Sequence, residues 1–144
     1  MTSGRMSEKH EVIHMSLLTK ILSVLVAAEF LYIFYLETIA TTSDKTSKVF
    51  GMSREELSRK SVNVLFKNQG VYNGLISVLI GLSVFAFDSK AAVVSLMLYI
   101  VGVALYGSVT SNPKIILMQG GLAMLTLVSC IFLTDLRFVE TRSV

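Results

Sequence analysis

Tryptophan is absent from the 144 residues, and proline and cysteine occur once each, as Pro113 and Cys130. One cysteine forms neither an internal disulfide nor a multi-thiolate metal site. Histidine is almost as scarce. His10 and His14 both lie in the polar first fifteen residues and read as solvated tail residues. No metal site and no cofactor is therefore expected. There is no glycine-rich phosphate loop and no nucleophile elbow, so no catalytic residue follows from a motif. Nor is there a Lys/Arg run interleaved with aromatics, which argues against nucleic acid as a partner.

Charge is the most telling shortage. Only 16% of the residues are charged, against about 25% in an ordinary soluble domain. Between Ala91 and Phe132 the sole charged residue is Lys114. A soluble fold would have to bury that stretch in a core larger than so short a chain can wrap. With 53% hydrophobic residues and a mean hydropathy of +0.67, the composition points to a polytopic membrane protein. The net charge of +3 is what positive membrane flanks supply.

Four apolar segments follow a polar tail at residues 1–16. They are Leu18–Ile39, Phe66–Phe87, Ala91–Ser108 and Ile115–Leu136, and residues 137–144 form a short C-terminal tail. Each segment approaches the roughly 20 apolar residues that a membrane-spanning helix needs. The expected fold is all-α, a four-helix transmembrane bundle within residues 17–136. A cleaved signal peptide is disfavoured because Glu29 interrupts the would-be apolar region. Asn112 and Pro113 suit the N-cap and first position of the fourth helix. In the one long connection, Ser53-Arg54-Glu55-Glu56 has capping-box form, so a short helix is expected to run from there along the membrane surface into the second span. Four spans put the tail, the Asp88–Lys90 bend and the C-terminus on one side. That side carries six Lys/Arg residues against seven on the other, so a positive-inside count leaves the orientation open.

Polar residues within the spans are the candidate site. Glu29 falls near the bilayer midplane and Glu37 near the interface, about 80° apart around the first helix. A carboxylate at the midplane costs several kcal/mol unless it is protonated, paired or hydrated. No Lys or Arg lies at that depth in another span, so a neutral carboxyl among hydrogen-bonding groups is the expected state. The second span opens with Asn68, Gln69 and Asn73, beside a small-residue stripe at Gly70, Gly74, Ser77 and Gly81 that lets another helix approach closely. The third span carries Ser95, Tyr99, Gly102 and Tyr106 at the same 4, 3, 4 spacing, and the fourth carries Gln119, Ala123, Thr126 and Cys130. One mildly polar stripe per helix predicts that these stripes face the bundle interior. Glu37, Asn68, Gln69, Asn73, Tyr106 and Gln119 all fall toward the first-loop side. They predict a polar pocket open to that side, with Glu29 about 15 Å deep at its floor.

These motifs also resemble a family. E-F-L-Y-I-F-Y-L-E at Glu29–Glu37, Lys48-Val-Phe-Gly51, N-Q-G-V-Y-N-G at Asn68–Gly74, Tyr106-Gly107 and K-I-I-L-M-Q-G at Lys114–Gly120 are together similar to small bacterial membrane proteins grouped as domain of unknown function 1304. The resemblance covers roughly Met15 to Phe132. It implies four spans in a bacterial inner membrane, and it supplies no activity, ligand or catalytic residue.

Three functional classes compete. In the favoured one, the bundle binds or conducts a small polar solute or proton, with Glu29 as the protonatable group, Glu37 at the entrance, and Asn68, Gln69, Asn73, Tyr106 and Gln119 orienting the ligand. In the second, a membrane-embedded enzyme acts on a lipid or quinone-like substrate. Acid–base chemistry usually needs two groups with separated pKa values, whereas Glu29 and Glu37 are separated by about 12 Å of helix. In the third, the chain is an assembly factor whose stripes bind a partner helix. The expected partners are the lipid bilayer, a small polar solute and further copies of the chain, since a pore of four helices is narrow.

Overall fold

The computed structural model describes residues 9–110 and 113–140, with side chains at 15–110 and 113–133. The fold is all-α in its body. Helix α1, Leu17–Phe34, continues as a π-helical turn at Tyr35–Ile39. Helices α2, Asp44–Phe50, and α3, Arg54–Ser58, lie in the long connection. Helix α4, Lys60–Gly81, continues as a second π-helical turn at Leu82–Ala86. Helix α5 spans Lys90–Thr110, α6 Ile115–Met118 and α7 Gly121–Phe132.

Local chemistry explains where these helices begin. The Ser16 hydroxyl accepts from the Thr19 N–H at the start of α1. Ser43 does the same for Thr46 at α2, which ends on Gly51 in the left-handed region at φ 66°, a conformation that costs glycine nothing. At α3 the Ser53–Glu56 capping box is complete in both directions. The helix it starts is only five residues long, because Arg59 turns extended at ψ 130° before α4 begins. The connection therefore does not run unbroken into the second span, and that span begins six residues earlier than expected. The Asp88 backbone has φ 42°, which an Asp tolerates, and Ser89 Oγ then accepts the Ala92 N–H at the head of α5.

Among the described residues three helices are long and apolar enough to cross a membrane: Leu17–Ile39, Lys60–Ala86 and Lys90–Thr110. Only 28%, 28% and 22% of their most apolar windows are buried within the protein. The rest of each apolar surface, including Leu31, Leu79 and Val109, faces outward. Such continuous apolar surface fits a hydrocarbon solvent.

The fourth apolar segment differs from expectation. It is not one helix over 115–136. It breaks at Gln119–Gly120 and ends at Phe132. Gly120 is buried, and a Cβ there would lie 2.5 Å from Ile116 O and 3.3 Å from the Ala104 Cβ on α5. The break thus depends on glycine. Asn112 of the expected N-terminal cap lies outside the described residues, and α6 starts beyond Pro113 after Lys114, without a side-chain cap. Beyond α7, residues Thr134–Glu140 (β2) pair antiparallel with Lys9–Met15 (β1), Met15 opposite Thr134 and Lys9 opposite Glu140. The first segment lies wholly within the expected polar N-terminal tail, and the second overlaps the expected C-terminal tail from residue 137. Their backbone donors and acceptors are instead taken up by a two-stranded ladder.

Helix α1 packs on α4 and on α7, and α7 packs on α5. Helix α4 meets α5 mainly near the second π-helical turn. The Thr19 and Ser129 hydroxyls are 3.0 Å apart, and Lys20 Nζ lies 2.8 Å from Asp88 Oδ1. The start of α1, the turn after α4, the start of α5 and the end of α7 therefore share one end of the molecule. Val26, Phe30, Ile80, Val93, Met97 and Ile100 form the centre of the core.

The inward face of α5 corrects one expectation. Its buried residues are Val93, Met97, Ile100 and Ala104. Ser95, Tyr99, Gly102 and Tyr106 are all exposed. Both stripes have the same spacing, and the apolar one packs more tightly against α7 and the core without leaving phenols to satisfy. In α7, Ala123, Thr126, Ser129 and Cys130 are buried.

Candidate functional site

From Glu29 onward, α1 presents Tyr32, Ile33 and Leu36 at helical spacings of three, four and seven, which place them on one face. This face forms one wall of a cavity of about 250 Å³. The opposite wall is Ile115, Met118 and Gln119 of α6, and the roof is Val49 and Phe50 of α2. The break at Gln119–Gly120 accounts for the space: α6 packs on α5, whereas α7 packs on α1 and α5. The fourth segment thus diverges from α1 on the first-loop side.

The cavity is apolar except for a few groups. Glu29 is half-buried, but its Oε2 is fully buried and has no hydrogen-bonding partner among the described residues. Gln119 is also half-buried and lines the same space. Among the described residues no Lys or Arg lines it, but one stands near it. Lys45 Nζ of α2 sits 5.0 Å from the centroid of the Tyr32 ring, a cation–π contact. Phe50 is held in place by an edge-on contact with Phe66 at 5.1 Å.

A second polar site lies apart from this cavity. Asn73 Nδ2 donates to Glu37 Oε2 at 2.7 Å, with both residues buried between α1 and α4. The adjacent small residues allow the two helices to approach. A Cβ at Gly70 would overlap the Thr38 hydroxyl and come within 2.9 Å of the Glu37 Cβ, and one at Gly74 would come within 3.0 Å of the Phe34 ring. Ser77 donates its hydroxyl to Ala27 O at 2.7 Å. A Cβ at Gly81 would meet nothing within 4 Å.

Hydroxyls fix the π-helical end of α1. Thr41 Oγ1 donates to Glu37 O at 2.6 Å. The buried Thr46 hydroxyl lies 2.7 Å from Ala40 O and 3.2 Å from Leu36 O and is shared between them. Thr46 therefore ties α2, the roof of the cavity, to the wall that carries Glu29.

The single pocket expected from sequence is thus divided. Glu29 and Gln119 come together. Glu37 and Asn73 come together elsewhere and satisfy one another. Asn68, Gln69 and Tyr106 are exposed on the outer surface, Tyr106 to 73%. The contact face of α4 runs through Gly70, Asn73, Gly74 and Ser77, and Gln69 and Asn68 lie about 100° and 200° away from Gly70. Tyr106 lies about 200° from the buried Ala104 on α5. Sequence reasoning missed Tyr32, Ile33, Leu36, Val49, Phe50, Ile115 and Met118 as cavity residues. The first three had a signal in their spacing from Glu29. The two from α2 had none, because no periodic pattern brings that connection back over α1.

The family model for the protein of unknown function DUF1304 matches residues 24–131, a stretch that contains Glu29, Glu37, Asn73 and Gln119. The chain is also 59% identical over 119 residues to the uncharacterized protein YpaA of Lactococcus lactis subsp. lactis (strain IL1403), covering 82% of this chain and 100% of that protein. No solved structure matches it. With three-quarters of its length matched by the family model and a relative aligned from end to end, the chain belongs to the DUF1304 family.

Proposed function

We propose that the protein is a multi-pass protein of the bacterial inner membrane, a four-span bundle, whose intramembrane cavity binds a small polar solute or a proton and exchanges a proton at Glu29. The observation that carries this reading is Glu29 in the lining of a cavity whose other lining residues are apolar apart from Tyr32 and Gln119, with its buried Oε2 left without a hydrogen-bonding partner among the described residues. An ionisable group within a membrane span is costly to keep and is by default a functional candidate. Gln119 offers both a donor and an acceptor to a ligand or to the carboxyl. Passage across the bilayer through so small a space would draw on further copies of the chain.

The reading as an enzyme on a lipid or quinone-like substrate has less support. Its second carboxyl would be Glu37, which Asn73 engages outside the cavity. The outward polar stripe of α5 leaves room for an assembly role but commits to no partner.

Infrared difference spectroscopy in bilayers tests the proposal. Spectra of the wild type between pH 5 and pH 9 should contain a carboxyl C=O band that Glu29→Gln removes while the helical amide bands stay unchanged. If that substitution removes no pH-sensitive band, Glu29 exchanges no proton and the reading fails.

A further inference from the structure

The lining of the cavity specifies more than a polar solute. At about 250 Å³, it is smaller than the roughly 300–1,000 Å³ that drug-sized ligands occupy. Its lining holds one carboxyl-bearing residue, Glu29, one amide, Gln119, two aromatic rings, Tyr32 and Phe50, and otherwise apolar side chains. Among the described residues no cationic side chain lines it, and Lys45 at the rim is engaged with the Tyr32 ring, so a carboxylate or phosphate placed beside Glu29 would meet a carboxyl and no lining cation. A cationic nitrogen meets the opposite situation: a carboxyl, an amide and aromatic rings among the lining residues. The protein already shows this preference at the rim, where the Lys45 ammonium rests over the Tyr32 ring.

We infer that the cavity takes a small lipophilic amine, with its ammonium on Glu29 and Gln119 and against the Tyr32 ring, and its alkyl body against Ile33, Leu36, Ile115 and Met118. This rests on the proposed reading of Glu29 as a proton-exchanging group and names the class of solute. The bound pair is ammonium and carboxylate. If the amine enters neutral, the proton it gains is the one Glu29 gives up, so no other donor is needed. Lys45 competes for the Tyr32 face in the free protein.

The test is calorimetric titration of the full chain in maltoside micelles with hexylamine and with 1-hexanol, against protein-free micelles. The two probes share their alkyl body and differ in the head group. Saturable hexylamine binding is expected, weakened about tenfold or more by Glu29→Gln, with 1-hexanol weaker than hexylamine by a similar factor. Ile33→Trp, which fills the cavity and leaves the carboxyl in place, should abolish binding, and it serves as the second variant if Glu29→Gln fails to fold. Lys45→Met should strengthen hexylamine binding. The inference is overturned if 1-hexanol binds as tightly as hexylamine, if Glu29→Gln or Ile33→Trp folds and binds the amine unchanged, or if Lys45→Met weakens binding. A pH-sensitive Glu29 band together with no amine binding would sink the amine alone. A silent band would sink the reading beneath it too.

Discussion

Asn73 and Glu37 hydrogen-bond at 2.7 Å, and each is the other's means of being buried between two helices long and apolar enough to cross a membrane. The pair sits beside Gly70 and Gly74, where a side chain would force the helices apart. Glu37 is thereby an element of helix packing, while Glu29, eight residues earlier, lines a cavity, its Oε2 without a partner among the described residues. Two glutamates that look equivalent in sequence differ in their surroundings because only Glu37 is hydrogen-bonded to an amide among the described residues.

The costs of removing the two members of the pair should not add. Asn73→Leu leaves a buried carboxyl oxygen unsatisfied, at about 1–3 kcal/mol. Thermal unfolding in detergent should show a lower midpoint for Asn73→Leu. The double variant with Glu37→Leu should be less destabilised than the sum of the single changes. Strict additivity would mean that the two side chains do not interact.

The glycines of α4 should respond in opposite directions. Gly70→Ala places a methyl group against Thr38 and Glu37 and should destabilise by about 1–3 kcal/mol. Gly81→Ala meets open space and should be neutral or stabilising by up to about 1 kcal/mol, because alanine is the better helix former. Equal unfolding midpoints would contradict this packing of α1 on α4.

Thr46→Val keeps the shape of the side chain and removes the hydroxyl shared by Leu36 O and Ala40 O. A loss of about 1 kcal/mol is expected, accompanied by loosening of α2. A cysteine at Val49 should react with a maleimide faster in the Thr46→Val background than in the wild type. An unchanged rate would show that Thr46 does not hold the roof of the cavity.

The ends of the body should be joined covalently by one designed crosslink. The Thr19 and Ser129 hydroxyls are 3.0 Å apart, so Thr19→Cys with Ser129→Cys should form an intrachain disulfide under mild oxidation in bilayers. In the same antiparallel arrangement, cysteines at Ser3 and Ser143 should label from one side of the membrane. Labelling from opposite sides would rule out an even number of spans.

The sequence by itself determined the class of the fold. Long apolar runs with few charges form helices in a solvent that cannot satisfy an open backbone, and that holds regardless of which helices are neighbours. The Ser53–Glu56 capping box was legible because both of its partners lie within one turn, and the small-residue stripe of α4 was legible because helical spacing alone puts it on one face. Tertiary structure decided the rest. The two stripes of α5 share one spacing, so periodicity cannot tell which of them turns inward, and packing against α7 chose Val93, Met97, Ile100 and Ala104. Part of what leaves no room for a side chain at Gly120 is Ala104 from another helix. The partition of Glu29 and Glu37 into an open site and a satisfied pair depends on where Asn73 and α2 come to rest. Those are contacts across tens of residues of chain, whereas helical periodicity carries information only along one helix.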